Sequence, residues 1–231
     1  LARLVVLVDN EAPSGLTPAW GLSILAETRE GSLVLFDTGP DAETLCANAE
    51  RLGAARLLQE LDLVVISHPH RDHYGGLACI AHHSPGTRIL LPPTPSHIVS
   101  WIRRLGLTPV TQAAGGPVAP GAYASPALTA AIALAERALA VQGEHGVTVL
   151  LGCSHPGGDR LTEAALQAAA ADKAYLVIGG LHNPPPEVVD RIAQLAEHIA
   201  PIHCSGQAKQ YAKTRYPDKY IEAKAGTQIQ I

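Results

Sequence analysis

The first forty residues alternate short apolar runs with polar breaks. "RLVVLVDN", "GLSILAET" and "SLVLFDTG" read as strands, with "REG" turning the chain between the last two. Helical spacing of apolar residues follows in "AETLCANAERL", where Asp41 is placed to cap a helix and Gly53 to stop it. A shorter helical stretch, "AARLLQEL", leads into the strand "DLVVIS". Beyond it, "TRILLPP" reads as a strand, and Ser96 to Leu105 as a helix capped by Ser96.

From Thr108 to Leu128 the chain is rich in Pro, Gly and Ala. It reads as a loop, a lid or an irregular pair of edge strands, and not as a linker, because strands resume on both sides. The second half then repeats one rhythm: strand "GVTVLLGCSH", helix "DRLTEAALQAAAAD", strand "AYLVIGGLH", helix "PEVVDRIAQLAEHI", strand "APIHCSG", helix "AKQYAKTRY". Alternating strands and helices imply an α/β layered fold, with the β-rich opening contributing to a second sheet. Residues 1–231 are expected to form a single domain.

Composition narrows the partners. A net charge of −4, with 16% charged and 4% aromatic residues, leaves little for a nucleic-acid surface. No apolar run approaches the roughly 20 residues of a membrane span, so the expectation is a soluble, cytoplasmic protein acting on a small molecule, of unassigned oligomeric state. The four cysteines, Cys46, Cys79, Cys153 and Cys204, form no CxxC pair, which fits reduced thiols better than a disulfide scaffold. Cys46 and Cys79 are expected in the core.

Against that bland background stands "SHPHRDHYGGL", in which three histidines and an aspartate fall within six residues after an apolar strand. If the strand geometry continues, His68, His70 and Asp72 share one side, and His73 can turn to an adjacent position, the glycines of "YGGL" allowing a sharp bend. Three more histidines, His155, His182 and His203, each follow a buried-looking strand. Because the C-terminal strand ends of an α/β sheet share one edge, these residues are expected to meet there around one or two metal ions. His82, His83, His97, His145 and His198 lack such company and are assigned to the surface.

"HPHRDH" resembles the HxHxDH signature of the metallo-β-lactamase superfamily, and "LVLFDTG" resembles the strand and aspartate turn that precede it there. "LVDN", "GLSIL", "GCSHPG", "IGGLH" and "HCSG" are similar to one branch, the hydrolases related to dihydropterin–ribofuranosylaminobenzene phosphate synthases. The middle, Arg88 to Val141, resembles that branch poorly, with "LAERALAVQ" where an acidic stretch is common. The resemblance implies an αββα sandwich. It further implies that His68, His70 and His155 hold a first metal, and that Asp72, His73 and His203 hold a second. His182 is the competitor for the last place and otherwise lies near the substrate as a catalytic group. Asp72 would also orient the attacking water. Cys153 stands where a bridging aspartate is usual, so a weakened or single-metal site is an alternative.

Zinc is the first choice of metal, with iron, manganese or nickel as alternatives. Such a site offers a metal-bound hydroxide for attack on a small, anionic ester, lactone, thioester or phosphoester. The alternatives are a pterin transferase and a non-hydrolytic metal, ligand or redox protein. In "HCSGQAKQ", Ser205 is expected to cap a helix whose N-terminus, with Lys209, would favour an anionic substrate.

Overall fold

The computed structural model describes residues 2–231. Seven strands form the first sheet: β1 (Arg3–Val8), β2 (Ser23–Glu27), β3 (Leu33–Phe36), β4 (Leu63–Val65), β5 (Arg88–Leu91), β6 (Thr108–Thr111) and the C-terminal β15 (Gln228–Gln230). Its order is β15-β1-β2-β3-β4-β5-β6, antiparallel as far as β3 and parallel from there to β6. The second sheet contains β7 (Gly116–Ala119), β8 (Ala122–Ala124), β11 (Leu139–Gln142), β12 (Val147–Leu151), β13 (Ala174–Gly179) and β14 (Ala196–Pro201). Its order is β14-β13-β12-β11-β8-β7, with β12, β13 and β14 parallel. A separate hairpin joins β9 (Leu128–Ala131) to β10 (Leu134–Glu136).

Strand periodicity divides the apolar residues into three layers. Leu4, Val6, Ile24, Val34, Phe36 and Val65 of the first sheet face Leu139, Val141, Leu150, Leu176 and Ile178 of the second, forming the central core. The intervening residues, among them Leu7, Leu25, Leu35, Val64 and Ile66, face outward onto α1 (Ala42–Arg51), α3 (Leu77–His83) and α4 (Ser96–Arg104). On the opposite side Val147, Val149, Leu151 and Val177 pack on α5 (Gly158–Ala168), α6 (Pro186–Leu195) and α7 (Gln207–Arg215). The result is the helix–sheet–sheet–helix sandwich expected of the resemblance. Burial of both sheet faces explains why these strands read as continuous apolar runs. Among the described residues no helix is long and apolar enough to cross a membrane.

Several sequence expectations need correction. The Pro/Gly-rich middle supplies β6, β7 and β8, so the edge-strand alternative describes it. The helix read from Pro186 stops at Leu195. Ala196 to Ile199 instead pair in parallel with β13, because Ala196 and Ile199 fill the core beneath α6. "AARLLQEL" contains only a short 3-10 turn at Leu57–Gln59. Asp41 does cap α1, its carboxylate accepting the Thr44 N–H at 2.8 Å. Ser96 is the first residue of α4, and the capping position before it falls to Pro95.

Cys46 and Cys79 are joined by a disulfide, against the expectation of reduced thiols. They lie 33 positions apart, and only the packing of α1 on α3 brings them together. The Gly75–Gly76 pair is also used differently from the bend inferred for it. Both have ordinary negative φ, but a Cβ would lie 1.9 Å from the Pro40 carbonyl oxygen at Gly75 and 2.0 Å from that of Thr38 at Gly76. Glycine therefore permits close backbone approach between the turn after β3 and the helix after β4.

Candidate metal centre

Six strands, β1, β3, β4, β12, β13 and β14, end at one edge of the sandwich, because β1 and β3 both run opposite to the intervening β2. The residues just past these ends are Asp9 and Asn10, Asp37, His68, His155, His182 and His203. At four ends the chain turns through a left-handed conformation at a non-glycine residue: Asp37 (φ 58°), Ser154 (φ 68°), His182 (φ 54°) and His203 (φ 54°). Such a backbone costs on the order of 1 kcal/mol or more per residue, and its concentration at one edge marks a site whose geometry the surrounding ladders enforce.

Two groups of potential ligands meet there. His68, His70 and His155 place ring nitrogens within 4.8 Å of one another, and so do the ligand atoms of Asp72, His73, Cys153 and His203. The rings of His68 and His73 are 4.2 Å apart, so the groups adjoin. α2 (Arg71–Tyr74) aims Asp72 and His73 into the second group. His203 joins that group, whereas His182 is exposed beside His155, with ring centroids 4.6 Å apart, and falls with Cys153 and His155 in a third, overlapping constellation.

The far nitrogen of each inward ring is already held. His73 Nδ1 lies 2.7 Å from Asp37 Oδ2, His155 Nδ1 is 2.9 Å from Glu136 Oε2, and His203 Nδ1 is 2.9 Å from Asn10 Oδ1. His68 Nδ1 is 2.9 Å from Ser67 Oγ, which itself donates to Asp37 at 2.7 Å. These contacts leave the Nε2 atoms of His73 and His203 at 3.2 and 3.4 Å from Cys153 Sγ, and at 3.4 and 3.5 Å from Asp72 Oδ2. An imidazole bound to carboxylate or amide on one nitrogen and free on the other suits a divalent cation. The donor set, five imidazoles with a carboxylate and a thiol, fits that group on this observation.

Electrostatics follow burial and pairing. Burial alone would push the His73 imidazole down, but Asp37 and Asp72 hold it up at about 10. Burial resists the Asp72 carboxylate also, yet hydrogen bonds from His203 and His73 draw its pKa below the ordinary carboxylate range. His68 and His70 are lowered, chiefly by burial and then by neighbouring imidazoles. A hydrogen bond with Cys204 and burial raise the Cys153 thiol. The second group is thus a charge-rich, enclosed nest, whereas in the first His68 and His70 are shifted toward their neutral form.

Sequence reasoning missed four supporting residues. Glu136, fully buried, accepts the backbone N–H groups of Cys153, Ser154 and His155 and holds the whole "GCSH" turn. Its only signal was an acid within an apolar segment. Asp9 accepts from the His203 N–H at 2.8 Å, while Asn10 donates to the His203 carbonyl as well as accepting from its ring. Asp37 was visible only as part of a motif.

Two expectations near α7 are corrected. Ser205 does not cap that helix. Its hydroxyl donates to the Ile202 carbonyl and accepts from Leu181 N–H, while Asn183 Oδ1 takes the Gln207 N–H at 2.8 Å. Lys209 is not a free cation, since its ammonium sits 3.0 Å from Glu11 and 2.9 Å from Glu222. Both residues line a cavity of about 490 Å³ with His203, Asn10 and Trp20. Trp20 is 64% exposed and inclined over His203 at 5.3 Å.

Comparison with known proteins agrees with this fold. The chain is 25% identical over 246 residues to 7,8-dihydropterin-6-methyl-4-(beta-D-ribofuranosyl)-aminobenzene-5'-phosphate synthase of Methanocaldococcus jannaschii, covering 82% of this chain and 83% of that one. A 76-residue stretch, 32% of this chain and 28% of the relative, is 36% identical to hydroxyacylglutathione hydrolase of Aeromonas hydrophila subsp. hydrophila. Among solved structures, a metal-dependent hydrolase of the beta-lactamase superfamily superposes with a TM-score of 0.80 at 23% identity, over 100% of this chain and 99% of that one. The family model for the beta-lactamase superfamily domain matches residues 33–204, from β3 through the His203 turn. With that match spanning both ligand groups, the chain belongs to the beta-lactamase superfamily.

Proposed function

We propose that this chain, acting as one domain, is a metal-dependent hydrolase of small, anionic esters, lactones, thioesters or phosphoesters. The observation that carries the reading is the pair of adjoining ligand groups at one strand edge, each backed by its own buried carboxylate. His68, His70 and His155 hold one divalent ion, and Asp72, His73 and His203 a second, with zinc the first candidate for such donors. Cys153 lies against the second group. When bound, such ions polarise the attacked group and acidify a water nucleophile.

The chain's own residues do the rest. Asp37, Glu136 and Asn10 fix the ring orientations of His73, His155 and His203, so that the ligand nitrogens need little rearrangement. Asp72 accepts a proton-bearing partner at its free oxygen while ligating. His182, exposed beside His155, takes or gives a proton at the leaving group. Ser205 supports the backbone of the substrate side, and Lys209 contributes once an anion displaces one of its two glutamates.

A second reading, transfer in place of hydrolysis, is favoured by the similarity to the methanogen synthase across most of the chain. The two separate by product. Protein loaded with zinc is incubated in ¹⁸O-water with chromogenic esters and phosphodiesters, and in parallel with a dihydropterin donor and an aminobenzene riboside phosphate. Label in the released acid or phosphate supports hydrolysis. A coupled pterin product without label replaces it with transfer.

A further inference from the structure

A third constellation lies away from the strand edge. Cys46 on α1 and Cys79 and His83 on α3 bring two sulfurs and an imidazole nitrogen within 4.8 Å of one another. Cys79 and His83 are four residues apart on one helix, so they sit on the same face one turn above each other. Cys79 is buried, and Cys46 and His83 are half-buried, leaving the nitrogen side of the cluster open to solvent. The two sulfurs form a disulfide.

A disulfide alone does not call for a histidine at this place. His83 adds the third donor of a Cys2His set, the composition that holds zinc with one position left for water. Zinc bonds of about 2.3 Å to sulfur would set the sulfurs roughly 3.8 Å apart, a separation in keeping with Cα atoms 5.8 Å apart on the two helices. We infer that Cys46, Cys79 and His83 form a redox-gated zinc site, closed as a disulfide and opened to metal by reduction.

The balance is simple. A dithiol reductant gives two electrons to the Cys46–Cys79 bond and closes its own disulfide, and each cysteine sulfur takes a proton. Zinc then displaces those two protons, forming two Zn–S bonds and one Zn–N bond to neutral His83. An oxidant that re-forms the disulfide expels the ion. The metal and the bond compete for the same sulfurs, so either one joins α1 to α3.

The test counts zinc per chain in the intact protein, oxidised with diamide or reduced with a phosphine, after removal of free metal. Cys46→Ser and His83→Ala proteins are carried through the same cycle, and His83→Ala keeps the disulfide and thus the fold. Changes at Cys153 or Cys204 appear equally in all three proteins and cancel. The wild type is expected to gain one zinc on reduction beyond any gain in the variants, and to lose it on oxidation. Equal zinc in both redox states of the wild type, or a gain on reduction as large in either variant as in the wild type, overturns the proposal.

Discussion

The two ligand groups at the strand edge share a boundary but not a chemistry. His68, His70 and His155 form a partly open array in which burial and neighbouring imidazoles lower the His68 and His70 rings. Their one carboxylate partner, Glu136, is occupied chiefly with the backbone of the "GCSH" turn. Asp72, His73, Cys153 and His203 form the deeper group, where Asp37 and Asp72 raise the His73 imidazole against the effect of its burial. The lesson concerns where negative charge is invested. In the second group it lies beside the candidate ligands, where it would favour a cation in place of a proton. In the first it lies in the backbone scaffold and fixes shape.

The sharpest way to break the contrast is His70→Ala. It removes a direct donor from the open group, so zinc content is expected to fall by one ion and hydrolysis of chromogenic esters by more than the ~10–100-fold typical of a supporting partner. Full metal content with normal turnover would sink the assignment of that group. Next comes Asp37→Asn, which disturbs three hydrogen bonds, from Ser67 N–H, Ser67 hydroxyl and His73. Affinity for the second ion, read by chelator competition, is expected to drop ~10–100-fold while the first ion changes less. Equal loss at both would erase the distinction.

Glu136→Gln is expected to act the other way, through structure. Replacing one oxygen by an amide sets N–H against the N–H donors of the turn, at a cost of about 2–3 kcal/mol. For a chain of this length that lowers the thermal midpoint by roughly 4–12 °C, measured on metal-free protein. An unchanged midpoint would show that the turn holds itself.

The smallest effect is at the rim. A hydrogen bond from Lys209 holds the Glu222 carboxyl down to about 2 from its ordinary 4.5. A pKa lowered by folding stabilises above the unfolded value and is lost as pH falls through the folded one. Glu222→Gln should therefore flatten the acid limb of stability between about pH 4.5 and 2. Its effect at neutral pH should stay below ~1 kcal/mol, because the Glu222 carboxylate is exposed and screened although Lys209 is half-buried. Metal binding is expected to be indifferent to it.

Much of this molecule is legible in one dimension because the site is built from residues just past the strand ends. His68, His155, His182 and His203 stand where an apolar run stops, and a run of that kind shows in the bare sequence. The capping role of Asp41 is legible for the same reason, being local. The features that sequence patterning failed to show depend on contacts distant along the chain. The hydrogen bonds of Glu136 span 17 to 19 positions and those of Asn10 to His203 span 193, and nothing nearby marks either residue as a partner. The end of α6 is hidden because Ala196 to Ile199 continue a good helical pattern that parallel pairing with β13 overrides. Ser205 precedes a helix as a cap would, yet backbone groups of Leu181 and Ile202 claim its hydroxyl.

The left-handed turns at Asp37, Ser154, His182 and His203 bear on how the proposed metal would enter the site. Each is clamped on its N-terminal side by a strand of the closed sandwich, so the strain is held by ladders that persist whether or not an ion is present. Ion uptake then resembles a key entering a lock already cut: the empty protein keeps its tertiary structure, and loading proceeds without a slow rearrangement. A chelator should consequently disarm this chain reversibly, leaving a folded scaffold that regains its ions on the timescale of their diffusion and dehydration.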